Sequence, residues 1–239
     1  MRYLINKEFR EGGDAMGTAD VLFRIGPIEI SGVILTSWII MLVLTAFAIL
    51  ATRNLKEVPG PLQNAAEMAV EALQNYFNEL LGKDYTKKYF PVFATFFIFI
   101  VVCNYSGQLP GAGHITGFSV PTACLSVTAA LGIIAFCTTH TIGIRERGLK
   151  QYLKILISPF ILMLPLNLIE QMVRPFSLSL RLYGNLFGEE MVLEELYHIF
   201  PILLPLVMNV LSLLFCFVQA MVFTMLVSIY TAEGLEEEH

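Results

Sequence analysis

The chain has 239 residues, of which 56% are apolar and 15% charged, and its mean hydropathy is +0.67. Soluble domains carry about 25% charged residues, so this composition predicts a membrane protein and excludes an ordinary soluble domain. The net charge of −5 comes largely from the acidic tail, and the sequence contains no basic cluster of the kind that binds a nucleic-acid backbone.

The first half of the chain predicts an outer segment, three spans and one surface helix. Residues 1–29 are polar, and we expect an outer N-terminal segment rather than a cleavable signal peptide. Residues 30–52 carry no charge and are long enough to cross a bilayer. Residues 59–85 mix apolar and polar side chains at helical spacing, which predicts an amphipathic interfacial helix. Residues 89–109 and 119–144 are predicted to be the second and third spans.

Lysine and arginine residues in the connections predict the orientation. Residues 145–154 hold Arg145, Arg147, Lys150 and Lys154, whereas residues 110–118 hold neither lysine nor arginine. By the positive-inside rule residues 145–154 face the cytoplasm, and so do residues 53–88. The N-terminus is then outside and the C-terminus cytoplasmic. The basic residues within segment 1–29 oppose this orientation, but the rule is strongest in short loops.

The last two apolar segments, 152–193 and 199–231, are unusually long. About 32 helical residues would extend about 48 Å, well beyond a hydrocarbon core of about 30 Å. We therefore expect two strongly tilted or kinked helices in a hairpin, with its turn at the acidic patch 194–198 and an acidic tail at 232–239. The predicted fold is an all-α membrane protein with five membrane-inserted helices and one interfacial amphipathic helix.

Arg181 lies in the middle of the first long segment, although an arginine at bilayer depth costs at least about 2.5–3.5 kcal/mol. No acidic residue stands three or four positions away, so its counter-charge must come from another helix or subunit. Glu190 is nine residues on and points to the opposite side of the helix. At about 100° per residue, a broad polar face is formed by Asn167, Glu170, Arg174, Ser177, Arg181 and Asn185.

Several other polar residues can be explained by a structural role as well as by a role in ion transport. Arg174 is expected to pair with Glu170 or to reach the membrane surface. The last helix carries a sparse polar stripe of Asn209, Ser212, Cys216 and Gln219, and Gln219 is a candidate to hold Arg181 by hydrogen bonds. His140 is either a proton-relay group or an interface residue. The cysteines have no metal-ligand spacing and no nucleotide-binding motif appears, so we expect no metal and no cofactor.

The residues around Arg181 resemble a known family. The run Pro175-Phe-Ser-Leu-Ser-Leu-Arg181-Leu-Tyr-Gly184-Asn185, followed by Glu190, resembles the signature of subunit a of F-type ATP synthases. Gln219-Ala-Met-Val-Phe, Asn104-Tyr-Ser-Gly-Gln-Leu-Pro110 and Pro165-Leu-Asn167-Leu-Ile-Glu170 are also similar to segments of that family. The resemblance covers the chain from the first span to the acidic tail.

This resemblance implies a stator subunit that is not catalytic by itself. Such a subunit provides two aqueous half-channels beside a rotating ring of c-subunits, and its arginine couples proton translocation to rotation. The implied partners are the c-ring, the b-subunit peripheral stalk, other ATP synthase subunits and membrane lipid. The implied location is a bacterial inner membrane, with an organelle membrane as the alternative.

By similarity, the ion-translocating residues are Arg181, Glu190, Asn185, Gln219, Glu189 and Ser212. Supporting residues are Glu170, Arg174, Asn167 and His140. Cys124 and Ser126 stand where many relatives carry an acid and an asparagine, so the outer half-channel is expected to be lined differently. The coupling ion stays open between proton and sodium. A stand-alone secondary transporter is an alternative, although no related halves are visible. A membrane-embedded enzyme is a third class, for which no nucleophile or metal set is visible.

Overall fold

A computed structural model describes residues 21–25, 28–52, 60–108, 120–152, 164–199 and 203–235. Two short antiparallel strands, β1 (Val21–Ile25) and β2 (Ile28–Ser31), precede the first helix. This hairpin was not predicted from the sequence, and its second strand extends two residues beyond segment 1–29. Its signal is weak, since it consists of a few isoleucine and valine residues on either side of Gly26-Pro27.

Three helices make up the first half of the described chain: α1 (Gly32–Thr52), α2 (Pro61–Leu81) and α3 (Lys83–Ser106). The predicted boundary between the amphipathic helix and the second span fell at residues 85–89. The structure ends α2 earlier, at Gly82, whose φ of 79° suits glycine and not other residues. The α3 helix therefore begins six residues before the predicted span and includes Lys87 and Lys88.

The second half contains a short 3₁₀ turn (Pro121–Ala123) and three helices: α4 (Leu125–Arg147), α5 (Leu164–Ile199) and α6 (Leu203–Leu235). Pro175 lies inside α5, where residues 164–199 are continuously helical. The hairpin turn predicted at 194–198 is wrong, because those residues belong to α5. Acidic side chains do not stop a helix, whereas Pro201 disfavours the helical conformation at the residue before it.

The described helices form one bundle. The α5 helix packs on α4 and α6, while α3 packs on α6, and α2 lies against both α3 and α6. The fully buried side chains at the centre include Phe77, Phe93, Ile100, Leu182 and Phe223. The other described residues leave most of the apolar surface of α1 uncovered.

Among the described residues, four helices are long and apolar enough to cross a membrane: α1 over Gly32–Leu50, and all of α3, α4 and α6. The α5 helix is at least as long as α6, but its several charged side chains make it too polar to be counted with those four helices. These observations agree with an all-α membrane protein. The rest of segment 1–29, the loop 110–118, the start of segment 152–193 and most of the acidic tail lie outside the described residues.

An ion pair marks one end of this bundle. Lys88 Nζ, near the start of α3, lies 2.5 Å from Glu146 Oε1, near the end of α4. The Tyr89 hydroxyl donates to the same carboxylate. The two segments that the positive-inside rule assigned to one side thus meet at one end of the bundle, which we call the Lys88 end.

Candidate functional site: the outward face of α5 and two polar clusters

Helix α5 has two clearly different faces in its central part. Leu178, Leu182 and Leu186 recur every four residues and are buried against the bundle. Ser177, Arg181 and Asn185 recur at the same spacing one position earlier and are exposed. The leucine stripe packs α5 against the other described helices. The polar stripe therefore faces away from the described bundle.

Arg181 sits on an open, largely apolar surface. None of the described side chains forms a hydrogen bond or an ion pair with it, and its neighbour Leu180 is 52% exposed. Apart from the glycine's chain neighbours and the local helix backbone, no described atom lies within 4 Å of the position that a Cβ would take at Gly184 or Gly188. A glycine on a helix surface allows a neighbouring helix to approach closely. No helix of the described residues fills that space, so it is available to another subunit.

Arg174 lies seven residues before Arg181, in a group of charged side chains that we call the Arg174 cluster. Its guanidinium is 2.7 Å from Glu170 Oε1 and 2.7 Å from Glu233 Oε2, at the end of α6. It also lies over the Tyr230 ring, 4.4 Å from the centroid. The predicted pairing of Arg174 with Glu170 is confirmed, and Glu233 adds a contact between α5 and α6 that the sequence did not reveal.

A polar cavity of about 160 Å³ opens beside the Arg174 cluster. Asn167, Glu170 and Arg174 line it together with Tyr152 and Glu233, and it has room for several water molecules. Burial raises the pKa of the Tyr152 phenol, and the nearby Arg174 charge partly opposes that shift.

His140 lies next to this cavity. It lines a smaller pocket with Arg174 and Tyr230, and its Nδ1 is 2.9 Å from the Phe136 carbonyl oxygen. The four residues expected to play supporting roles (Asn167, Glu170, Arg174, His140) are therefore brought together. Because α4 ends beside Lys88, this group lies toward the Lys88 end of the bundle.

A second polar group lies toward the opposite end, where α3 finishes. Gln108 Nε2 donates a 2.6 Å hydrogen bond to Glu189 Oε1 of α5. Cys216 of α6 joins this group through Asn104, near the end of α3. Asn104 Nδ2 donates to the Cys216 carbonyl oxygen at 3.2 Å. We call these four residues the Glu189 cluster, and it joins α3, α5 and α6.

The polar stripe of α6 faces into the bundle. Ser212, Cys216 and Gln219 are all buried, and Asn209 is partly buried. The predicted hydrogen bond from Arg181 to Gln219 is not found among the described residues, and the Gln219 Nε2 atom, a donor that Arg181 could not satisfy, also has no partner among the described atoms. The physical reason is that Arg181 points outward, whereas Gln219 points inward. Glu190 lies on α5, and its side chain is outside the described part of the chain.

The two residues that depart from the family pattern satisfy each other. The Cys124 thiol and the Ser126 hydroxyl are 3.1 Å apart, at the start of α4. Sequence reasoning missed Gln108, Asn104, Tyr230 and Glu233 as members of polar clusters. Their position near the ends of apolar runs was a signal, but only the packing of the helices shows their partners. The described residues contain no group of three or more His, Cys, Asp or Glu side chains that could hold a metal ion.

Comparison with known proteins relates this arrangement to one family. The family model described as ATP synthase A chain matches residues 34–232. The chain is 42% identical over 207 residues to ATP synthase subunit a 1 of Syntrophotalea carbinolica, covering 85% of each chain. It is 41% identical over 211 residues to ATP synthase subunit a of Moorella thermoacetica, covering 88% of this chain and 94% of the relative.

A third relative extends the match. ATP synthase subunit a of Trichlorobacter lovleyi is 37% identical over 222 residues, covering 91% of this chain and 93% of the relative. The spanning helices and these bacterial relatives together indicate a bacterial membrane protein. The family match includes Arg181 and both polar clusters apart from Glu233, and we conclude that the chain belongs to the ATP synthase A chain family.

Proposed function

We propose that this chain is the stator ion-channel subunit of an F-type ATP synthase, with Arg181 separating two aqueous half-channels. One observation carries this proposal: polar clusters toward opposite ends of the bundle, with Arg181 between them on α5. Arg181 is seven residues from Arg174 and eight from Glu189, or about 10–12 Å along the helix axis in either direction. An ion path through this chain would therefore be interrupted at Arg181.

The outward position of Arg181 supports a moving partner. A membrane carboxylate on a rotating c-ring would meet a fixed positive charge that favours its ionised form, and it would release its ion there. The same charge repels cations and opposes a direct leak between the two half-channels. The open space at Gly184 and Gly188 leaves room for close approach of a ring helix.

The two half-channels take different residues. The outer one uses Glu189 and Glu190, with Asn185, Ser212 and Gln219 toward Arg181. The inner one begins at the cavity of the Arg174 cluster, with Asn167, Glu170 and His140. The membrane potential drives the ion with about 2.3 kcal/mol per charge per 100 mV. The coupling ion is a proton, with sodium as the alternative.

The remaining assignments follow from the positive-inside rule and from the family. The Lys88 end is cytoplasmic, the N-terminus lies outside and the complex sits in the inner membrane. The other partners are the b-subunit and the remaining ATP synthase subunits. The uncovered apolar surface of α1 is available to lipid or to such a partner.

Cysteine cross-linking between this chain and the c-ring tests the proposal. Asn185→Cys is on the exposed stripe, and Leu182→Cys is the matched control on the buried stripe three residues away. Each is combined with a cysteine placed beside the ring carboxylate, in an otherwise cysteine-free complex. We expect the Asn185→Cys disulfide and no Leu182→Cys disulfide. The opposite pattern, or neither disulfide, would overturn the proposed position of the ring.

A further inference from the structure

Gln108 makes the closest described contact with the Glu189 carboxylate. It is partly buried at the end of α3, and its 2.6 Å hydrogen bond to Glu189 spans 81 residues of sequence. A hydrogen bond to a charged group is shorter and stronger than a neutral one, so this contact fixes where the carboxylate lies. No other described side chain donates a hydrogen bond to Glu189.

Further polar side chains lie deeper in the bundle, beyond Gln108. Asn104 lies in the last turn of α3, four residues before Gln108, which follows the helix in a turn, and Asn104 is 2% exposed. Its Nδ2 atom binds the Cys216 carbonyl oxygen, but its Oδ1 atom is buried and has no partner among the described atoms. A buried carbonyl oxygen of this kind is normally satisfied by an ordered water molecule.

Helix α6 continues the same pattern. Ser212 and Gln219 flank Cys216 at spacings of four and three residues, and both are buried. The Ser212 hydroxyl oxygen and the Gln219 Nε2 atom also lack partners among the described atoms. Three unpartnered polar groups thus follow the contact between α3 and α6, beginning beside the Gln108–Glu189 pair. That pattern is typical of a file of water molecules.

The alternative entrance, at the start of α4, has fewer polar groups without partners than the contact between α3 and α6. Cys124 and Ser126 hydrogen-bond each other, and in this region only the Thr122 hydroxyl oxygen of the preceding 3₁₀ turn is buried without a partner among the described atoms. An ion path needs groups that exchange protons or bind water, and these two residues already satisfy one another.

We propose that Gln108 is a positioning residue that holds the Glu189 carboxylate at the mouth of the outer half-channel, and that this path enters between α3, α5 and α6 rather than along Cys124 and Ser126. This inference rests on the proposed function, because it assigns an entrance to the outer half-channel. Gln108 acts through Glu189 and does not carry the ion itself.

A double-mutant cycle in the assembled complex tests the positioning role. Proton pumping driven by ATP is measured in vesicles for Gln108→Leu, for Glu189→Gln and for both together. We expect each single change to slow pumping by about tenfold, and the double variant to be no slower than the slower single variant. Multiplied effects, about 100-fold in the double variant, would show that Gln108 only packs and would overturn the inference.

Tyr105→Phe is the matched control. The Tyr105 hydroxyl donates a 2.9 Å hydrogen bond from the same helix to the Leu213 carbonyl oxygen of α6, without touching Glu189. We expect its pumping to stay within about twofold of the unchanged complex, since it removes only a hydrogen bond between helices. A loss equal to that of Gln108→Leu would mean that any weakening of the α3–α6 contact is sufficient, and the inference would fail.

Silver ions distinguish the two entrances, because they bind the sulfur of cysteines that water and ions can reach. Inhibition by Ag⁺ is expressed as a fraction of each variant's own pumping. We expect Cys124→Ala to remain sensitive and Cys216→Ala to lose most of its sensitivity. The reverse result would place the entrance at α4.

Arg181→Ala distinguishes failure of the proposed function from failure of this inference. If Arg181→Ala still pumps, the proposed function fails. If it is inactive while the effects of Gln108→Leu and Glu189→Gln on pumping multiply in the double variant, only this inference fails.

Discussion

Two helical glycines are predicted to respond oppositely to the same substitution. A Cβ at Gly132 of α4 would lie 2.2 Å from the Ser179 hydroxyl oxygen and 2.8 Å from the Pro175 carbonyl oxygen of α5. Ser179 cannot simply turn away, because its hydroxyl donates a 2.8 Å hydrogen bond to that same carbonyl. The helices must therefore separate if alanine replaces Gly132.

The expected magnitude follows from two opposing effects. Forcing a methyl group into a packed contact costs about 1–3 kcal/mol, and the better helix propensity of alanine returns about 0.5–1 kcal/mol. We expect Gly132→Ala to lower the free energy of unfolding by about 1–2 kcal/mol. Gly184→Ala adds a methyl group in open space, so its only effect on stability is the gain from the higher helix propensity of alanine.

Protease resistance of the chain in membranes, measured after heating, reports the stability of each variant. Gly132→Ala should lose resistance at a lower temperature, whereas Gly184→Ala should keep it and should instead reduce co-purification with the c-ring. Equal resistance of the two variants would refute the close packing of α4 on α5. Unchanged ring association of Gly184→Ala would count against the ring lying on this face.

Three other predictions follow from the ion pairs and from the family assignment. Arg174→Met and Glu233→Gln should couple by only about 1 kcal/mol in thermal unfolding of the complex, because Glu233 is 47% exposed; a coupling near zero would show that the pair does not join α5 to α6. Lys88→Cys and Glu146→Cys, made singly, should each be labelled by a membrane-impermeant thiol reagent from the cytoplasmic side; labelling from outside would reverse the proposed orientation. Glu190→Gln should slow ion flux while the complex still assembles, and unchanged flux would make Glu190 structural.

Much of the helical framework was predictable, because long apolar runs and their charged ends are local properties of the sequence. The three predicted spans correspond to α1, α3 and α4, the two long segments to α5 and α6, and the amphipathic segment to α2. Boundaries were less predictable where one residue decides them. Gly82 separates α2 from α3 by adopting a positive φ, and the acidic residues 194–198 did not end α5. Composition alone did not distinguish a helical acidic patch from a turn.

The candidate site was predictable along each helix but not between helices. Periodicity placed Arg181 and Asn185 on one face, yet it did not show which face the leucines would bury. The sequence therefore allowed Gln219 to meet Arg181, whereas the packing turns one inward and the other outward. The Gln108–Glu189 contact joins residues from distant helices, and nothing in the local pattern of either helix specifies it.

ATP-driven ion pumping by the assembled complex with Arg181→Ala is the most direct test of the central claim. Arg181 has no partner among the described side chains, so its loss should leave assembly intact while pumping is abolished. Repeating the assay with and without sodium identifies the coupling ion. Full pumping by an intact Arg181→Ala complex would contradict the account, because a charge that is dispensable there cannot separate two half-channels.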